Sequence, residues 1–178
     1  MCGIVGYIGK KDVKSVLLTG LKALEYRGYD SAGIALRNDE EIQIIKSVGR
    51  IKNLEEKLTK TKIIKATSGI AHTRWATHGK ANETNAHPHQ VGKITLVHNG
   101  IIENMDELKT RLIKKGYSFK TETDTEVVAA LIDSYLNGDI LKAIKKATND
   151  ITGSYALGII SETDKDHIYA IRKDSPLL

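Results

Sequence analysis

The sequence has one cysteine, Cys2, and two prolines, Pro88 and Pro176. A single thiol can neither close an internal disulfide nor build a multi-thiolate metal site. It points to a reducing cytoplasm. No Pro/Ser-rich linker, internal repeat or low-complexity tract divides the chain. No run of eighteen apolar residues occurs, which excludes a membrane-spanning helix. The opening Met-Cys-Gly-Ile has no basic segment followed by an apolar one, so no signal peptide is read. Aromatics are scarce: one Trp, one Phe and seven Tyr. The net charge is +5, but lysines alternate with acids and no basic stripe carries interleaved aromatics. A solvated Lys-rich surface is expected, with no nucleic-acid partner.

The 178 residues suffice for one domain. Leu, Ile, Val and Phe make up 47 of them, about 26%, above the roughly 20% below which chains tend to stay disordered. Ile4 to Ile8 reads as a buried strand. Asp12 can cap a helix with Val13, Val16, Leu17, Leu21 and Leu24 on one face, stopped by Gly28. Ser31 to Arg37 and Ile42 to Ser47 read as strands around an Asn38-Asp39 turn. A short helix follows from Ile51 to Leu58, and a strand from Ser68 to Thr73. Trp75 to Gly92 reads as a long loop, which in a compact domain usually carries function. Ile94 to His98 reads as a strand, continued by Ile101-Ile102 beyond Asn99-Gly100. Asn104 with Glu107 and Thr123 with Glu126 each resemble a capping box opening a helix. A further helix is expected from Ile140 to Ala147, then strands at Ser154 to Ile160 and Ile168 to Ile171. Strands fall in runs rather than alternating with helices, so the expected class is α+β, a layered sheet sandwich. The apolar end at Leu177-Leu178 reads as a piece of a longer protein.

The candidate chemistry begins at Cys2. With Met1 removed, its thiol would sit beside a free α-amine that titrates near 8. Nucleophile and base would then share one residue. The plainer reading is a small buried hydrophobe. Asn99-Gly100 reads first as a hairpin turn, because both residues accept positive φ. Alternatively, the Asn99 amide and the Gly100 N–H converge as an oxyanion hole. Arg74 can hold a carboxylate through two parallel hydrogen bonds, or form a structural ion pair. Trp75, the sole Trp, reads first as a core residue. Thr77 and His78 can bind polar substrate atoms or satisfy the loop backbone. Asp124 can cap a helix or meet a substrate ammonium. Five of six histidines lie between His72 and His98, but no metal-ligand spacing supports a site, and none is expected. Phosphate-loop, dinucleotide and nucleophile-elbow signatures are absent. Nucleophile, oxyanion donors, carboxylate clamp and ammonium clamp together fit attack on the side-chain amide of a free amino acid.

Six blocks carry a resemblance over essentially the whole chain: MCGIVGYIG at 1–9, LEYRGYDSAGIA at 24–35, GIAHTRWATHG at 69–79, NAHPH at 85–89, HNGIIEN at 98–104 and TETDTEV at 121–127. The chain resembles the class II, N-terminal-nucleophile glutamine amidotransferases. The resemblance implies a four-layer αββα sandwich of the N-terminal-nucleophile hydrolase type. It implies that Cys2 attacks the carboxamide of L-glutamine, with Asn99 and Gly100 as oxyanion hole. Arg74 would take the α-carboxylate and Asp124 the α-ammonium. Trp75, Thr77 and His78 would line or cover the pocket, and Arg27 would support the nucleophile loop. His87 lies in a family block without an assigned role. No cofactor is implied. Within the family, the chain looks like the branch that passes ammonia to a sugar-phosphate isomerase module, forming glucosamine 6-phosphate from fructose 6-phosphate in what is expected to be a homo-oligomer. On that reading residues 1–178 are a glutaminase domain, shortened at its C-terminal end, without the isomerase domains. A glutamine-binding domain without turnover and a histidine-dependent metallohydrolase are the competing readings.

Overall fold

The computed structural model describes residues 2–76 and 79–177. The elements in chain order are β1 (Gly3–Ile8), α1 (Val13–Leu24), a single 3₁₀ turn (Glu25–Arg27), β2 (Ser31–Arg37), β3 (Ile42–Val48), α2 (Ile51–Lys60), β4 (Ser68–Arg74), β5 (His89–Val91), β6 (Ile94–Ile102), α3 (Met105–Lys114), α4 (Asp124–Tyr135), α5 (Ile140–Asp150), β7 (Gly153–Ser161) and β8 (Asp164–Lys173). Two antiparallel four-stranded sheets form, in the orders β1-β4-β2-β3 and β5-β6-β7-β8.

Three apolar clusters show how these stack. Val13, Leu17 and Leu21 of α1 and Ile51, Leu54 and Leu58 of α2 pack on Ala32, Ile34, Leu36 and Ala71 of the first sheet. Leu108, Leu112, Val128, Leu131, Ile140 and Ile144 bring α3, α4 and α5 onto Leu96, Leu157 and Ile159 of the second. Ala35 and Ile70 meet Val97 and Ile160 between the sheets, with Ile4 and Ile44 at the margin. Residues of β2 alternate between the helix side and the sheet side, as a period of two requires. The result is the expected αββα sandwich. Among the described residues, no helix is long and apolar enough to cross a membrane.

Local signals hold where nothing distant competes. Asp12 caps α1 by accepting from the Ser15 N–H at 3.0 Å, and Asp139 caps α5 by accepting from Lys142 N–H at 3.0 Å. Asn38 turns the chain between β2 and β3 by accepting from the N–H groups of Glu40 and Glu41. Four expectations are corrected. α1 ends at Leu24, and Gly28 closes the following 3₁₀ turn instead. Neither capping box forms. Asn104 donates to Asp150 O and accepts from Thr152 N–H, tying α3 to the α5–β7 connection. Thr123 turns its hydroxyl to His89, while Glu126 accepts from the N–H groups of Lys120 and Thr121. The loop from Trp75 also ends early, because His89–Val91 pairs with β6 as β5. Asn99-Gly100 is not a hairpin. β6 runs through it without a break, with Asn99 facing Ala156 and Gly100 facing Tyr155 of β7.

Candidate active site

Cys2 precedes β1, which pairs with β4 so that Gly3 lies opposite Thr73. The Gly3 N–H donates to the Thr73 hydroxyl at 3.1 Å, and the Trp75 N–H donates to Cys2 Sγ at 3.2 Å. The sulfur is thus held beside the chain leaving β4. Asp30 holds that exit too: its carboxylate accepts from the Ala76 N–H at 2.9 Å, and its own N–H donates to Arg74 O. β6 of the other sheet brings Asn99 alongside, and the Asn99 amide donates to Cys2 O at 3.2 Å.

One cleft is lined by Cys2, Arg74, Trp75, Asn99, Gly100 and Asp124, with His72, His87, His98, Thr123 and Thr125 beneath. Residue 2 stands just before β1, and residues 74, 99 and 124 come from β4, β6 and the start of α4, so both sheets and one helix build it. Arg74 is buried. Burial pulls its guanidinium below the ordinary value, opposed by Cys2 and by the charges of Asp30, Asp124 and Glu122. It stays charged, since an arginine does not deprotonate in a protein, and donates to Lys80 O at 3.2 Å. Asp124 opens α4, where the helix dipole favours a negative charge. Burial pushes its carboxyl up. The His98 ring, the Ile102 N–H at 3.0 Å and the Thr125 hydroxyl outweigh that and hold it below the ordinary carboxylate range. A fixed cation and a fixed anion therefore share one cleft with a thiol. This is the charge pattern that complements an amino-acid zwitterion.

The floor of the cleft is a buried histidine cluster. His87 Nδ1 accepts from the His98 N–H at 3.3 Å, so its proton resides on Nε2, which donates to the Thr125 hydroxyl at 3.1 Å. That hydroxyl reaches Asp124 Oδ1 at 3.3 Å. His72 stacks on His87 with ring centroids 4.2 Å apart. Burial drives His72 down to about 3 and His87 and His89 well below their ordinary value, so all three are neutral near pH 7. The main-chain oxygen of His87 lies so close to β2 that a Cβ on Gly33 would stand 2.2 Å from it. Among the described residues no group of three or more metal-ligating side chains occurs.

Trp75 is 43% exposed, against its reading as a core residue, and meets Tyr29 edge-on with ring centroids 5.5 Å apart. Arg27 lines a second, adjoining cleft with Cys2, Trp75, Asn99, Gly100, Ile101 and Pro176. Thr77 and His78 lie outside the described residues. Sequence reasoning passed over Asp30 and Thr125, and took His72 and His98 only as weak metal candidates. Their roles depend on partners far along the chain; the crowding of histidines in 72–98 pointed to His72 and His98 alone.

The family profile described as glutamine amidotransferase domain matches residues 72–175. Over its whole length the chain is 54% identical to glutamine–fructose-6-phosphate aminotransferase [isomerizing] of Clostridium acetobutylicum, covering 29% of that protein. It is 50% identical to the protein of the same name from Thermococcus kodakarensis, covering 30% of it. The chain thus spans under a third of the length of these relatives. Among solved structures, glutamine phosphoribosylpyrophosphate amidotransferase from B. subtilis superposes with a TM-score of 0.78 at 30% identity, over 89% of this chain and 35% of that one. A glutamine aminotransferase class-II domain protein from Silicibacter pomeroyi shares the fold, with a TM-score of 0.62 at 16% identity over 98% of this chain and 78% of that one. By profile, sequence and fold, the chain belongs to the glutamine amidotransferase domain family.

Proposed function

We propose that residues 1–178 form a glutaminase domain that hydrolyses the side-chain amide of L-glutamine through a Cys2 thioester. The observation that carries this reading is the meeting of Cys2, Asn99, Gly100, Arg74 and Asp124 around one cleft. Arg74 takes the α-carboxylate and Asp124 the α-ammonium, which leaves the carboxamide toward Cys2. Removal of Met1 frees the Cys2 α-amine, which accepts the thiol proton as sulfur attacks the amide carbon. The carbonyl oxygen becomes an oxyanion between the Asn99 amide and the Gly100 N–H. The tetrahedral intermediate collapses as the α-ammonium protonates the leaving nitrogen. Ammonia departs and a γ-glutamyl thioester remains. Water then attacks the thioester, the oxyanion forms a second time, and glutamate leaves with the thiol restored. Trp75 covers the pocket, and Arg27 supports the nucleophile from the adjoining cleft. His87 supports Asp124 through Thr125. No metal or cofactor is needed for these steps.

In the longer protein, the ammonia passes to a sugar-phosphate isomerase module that makes glucosamine 6-phosphate from fructose 6-phosphate, within a cytoplasmic homo-oligomer. Fructose 6-phosphate added to this chain alone should yield no amino sugar.

Intact mass before and after exposure to a glutamine-shaped electrophile tests the centre. A chain lacking Met1 should gain one adduct on Cys2, blocked by excess glutamine. It should also release glutamate from glutamine, insensitive to chelators. Asn99→Ala should lower kcat by about 10²–10³. Glutamine binding with neither adduct nor glutamate would replace the enzyme by a silent binding domain.

A further inference from the structure

His72 stands on β4 of one sheet and Asn99 on β6 of the other. On the glutaminase reading above, we infer that His72 is a positioning residue whose Nε2–H holds the Asn99 side-chain carbonyl and thereby turns the Asn99 amide N–H₂ toward the oxyanion.

A side-chain amide has two orientations of nearly identical shape, and only one aims its donors at the nucleophile. Here both ends of the amide are spoken for. Asn99 Nδ2 lies 3.2 Å from Cys2 O, which can only accept. Asn99 Oδ1 lies 2.9 Å from His72 Nε2. The same Nε2 lies 3.0 Å from His98 O, another obligate acceptor. Nε2 must therefore carry a proton, and the tautomer is dictated by a main-chain carbonyl rather than by Asn99 itself. With the amide flipped, N–H₂ would face N–H, and Oδ1 would face Cys2 O. Both contacts would be repulsive. His72 Nδ1 is buried, without a hydrogen-bond partner among the described residues, and its ring is stacked on His87. A second proton there would have no acceptor, and burial accordingly keeps His72 neutral. One sheet thus orients the oxyanion donor that the other sheet carries.

Glutamine hydrolysis by the full chain is compared for the unmutated protein, His72→Leu, His72→Gln, Asn99→Ala and the His72→Leu/Asn99→Ala double variant. His72→Leu should lower kcat by about ten- to a hundredfold, part of what losing an oxyanion donor costs, with KM within about threefold. His72→Gln, whose N–H₂ can serve both acceptors, should recover most of that loss. On Asn99→Ala, His72→Leu should cost less than about twofold more, because the group it positions is already gone. Equal losses in both backgrounds, or a loss confined to KM, would mean a merely structural histidine and overturn the inference. Nitrogen NMR of the imidazoles in the unmutated chain reads the tautomer without any turnover. Nε2 protonated and Nδ1 bare near neutral pH is expected; the reverse tautomer or an imidazolium would overturn the clamp. No glutamine hydrolysis alongside the expected tautomer would sink the glutaminase reading alone, while normal hydrolysis with the reversed tautomer would sink the clamp alone.

Discussion

Gly100 answers two demands. Its φ is +129°, which side-chain-bearing residues rarely adopt, and an added Cβ would stand 2.1 Å from Ser154 O on β7. That oxygen and the Tyr155 Cα, 2.8 Å away, are both main-chain atoms, so Gly100→Ala must bend β6 away from β7 where the oxyanion donors lie. The substitution should destabilise the chain by about 2 kcal/mol and abolish glutamate release, read by urea unfolding and by turnover. An unchanged unfolding midpoint would show that β6 tolerates a Cβ there. Asn99-Gly100 was legible in the sequence as a special dipeptide, but its geometry was not. The hairpin reading assumes that the partner strand is the next stretch of chain. Gly100 instead faces Tyr155, with three helices intervening. Trp75 shows the reverse case, since its size suggests burial while the cleft mouth leaves it 43% exposed.

Among the elements, the β7–β8 hairpin depends on one buried side chain from the opposite sheet. Arg37, at the end of β2, is 1% exposed. Its Nε donates to Ser68 Oγ at 2.8 Å, and its two Nη atoms donate to the main-chain oxygens of Ser161, Asp164, Lys165 and His167. Burial lowers its pKa, opposed by Asp164 and Asp166, yet the guanidinium stays charged. Arg37→Met fills much of the volume but strands those carbonyls, each costing about 1–3 kcal/mol if it stays dry. The expected loss is about 3 kcal/mol or more, with amide exchange quickened first in β7 and β8. Exchange quickened uniformly, with no local opening, would count against the staple. The sequence shows Arg37 only as the last residue of a strand. The two capping-box patterns failed for a related reason: Asn104, Thr123 and Glu126 found partners across the fold that outcompete their own helix ends. Asp12 and Asp139 accept from the N–H groups of their own helices and cap as their local sequence implies.

For the whole molecule, the buried histidines tie stability to pH. His72 is driven down to about 3, and His87 and His89 well below 6.5, in each case first by burial. In the unfolded chain all three protonate near 6.5. Between those limits the unfolded state binds more protons, so stability rises with pH. It is complete above about 6.5 and falls as pH drops through that value, by about 1 kcal/mol per histidine for each further unit. Asp124, held low in the folded state, adds its own loss only further into acid. Urea midpoints taken at about pH 7.5 and 5.5 should differ markedly; equal midpoints would mean that the three rings titrate alike in both states. Helix and strand periods, the layered class and the chemical identity of Cys2, Arg74, Asn99 and Asp124 were already written in the chain, because each depends on side-chain chemistry or on neighbours a few residues away. That residues 2, 72, 99 and 124 meet, and that His72 faces the carbonyl of Asn99, was decided only in the folded molecule. Those contacts exist only once two sheets pair their strands and stack, and no local pattern encodes which distant strand lies opposite.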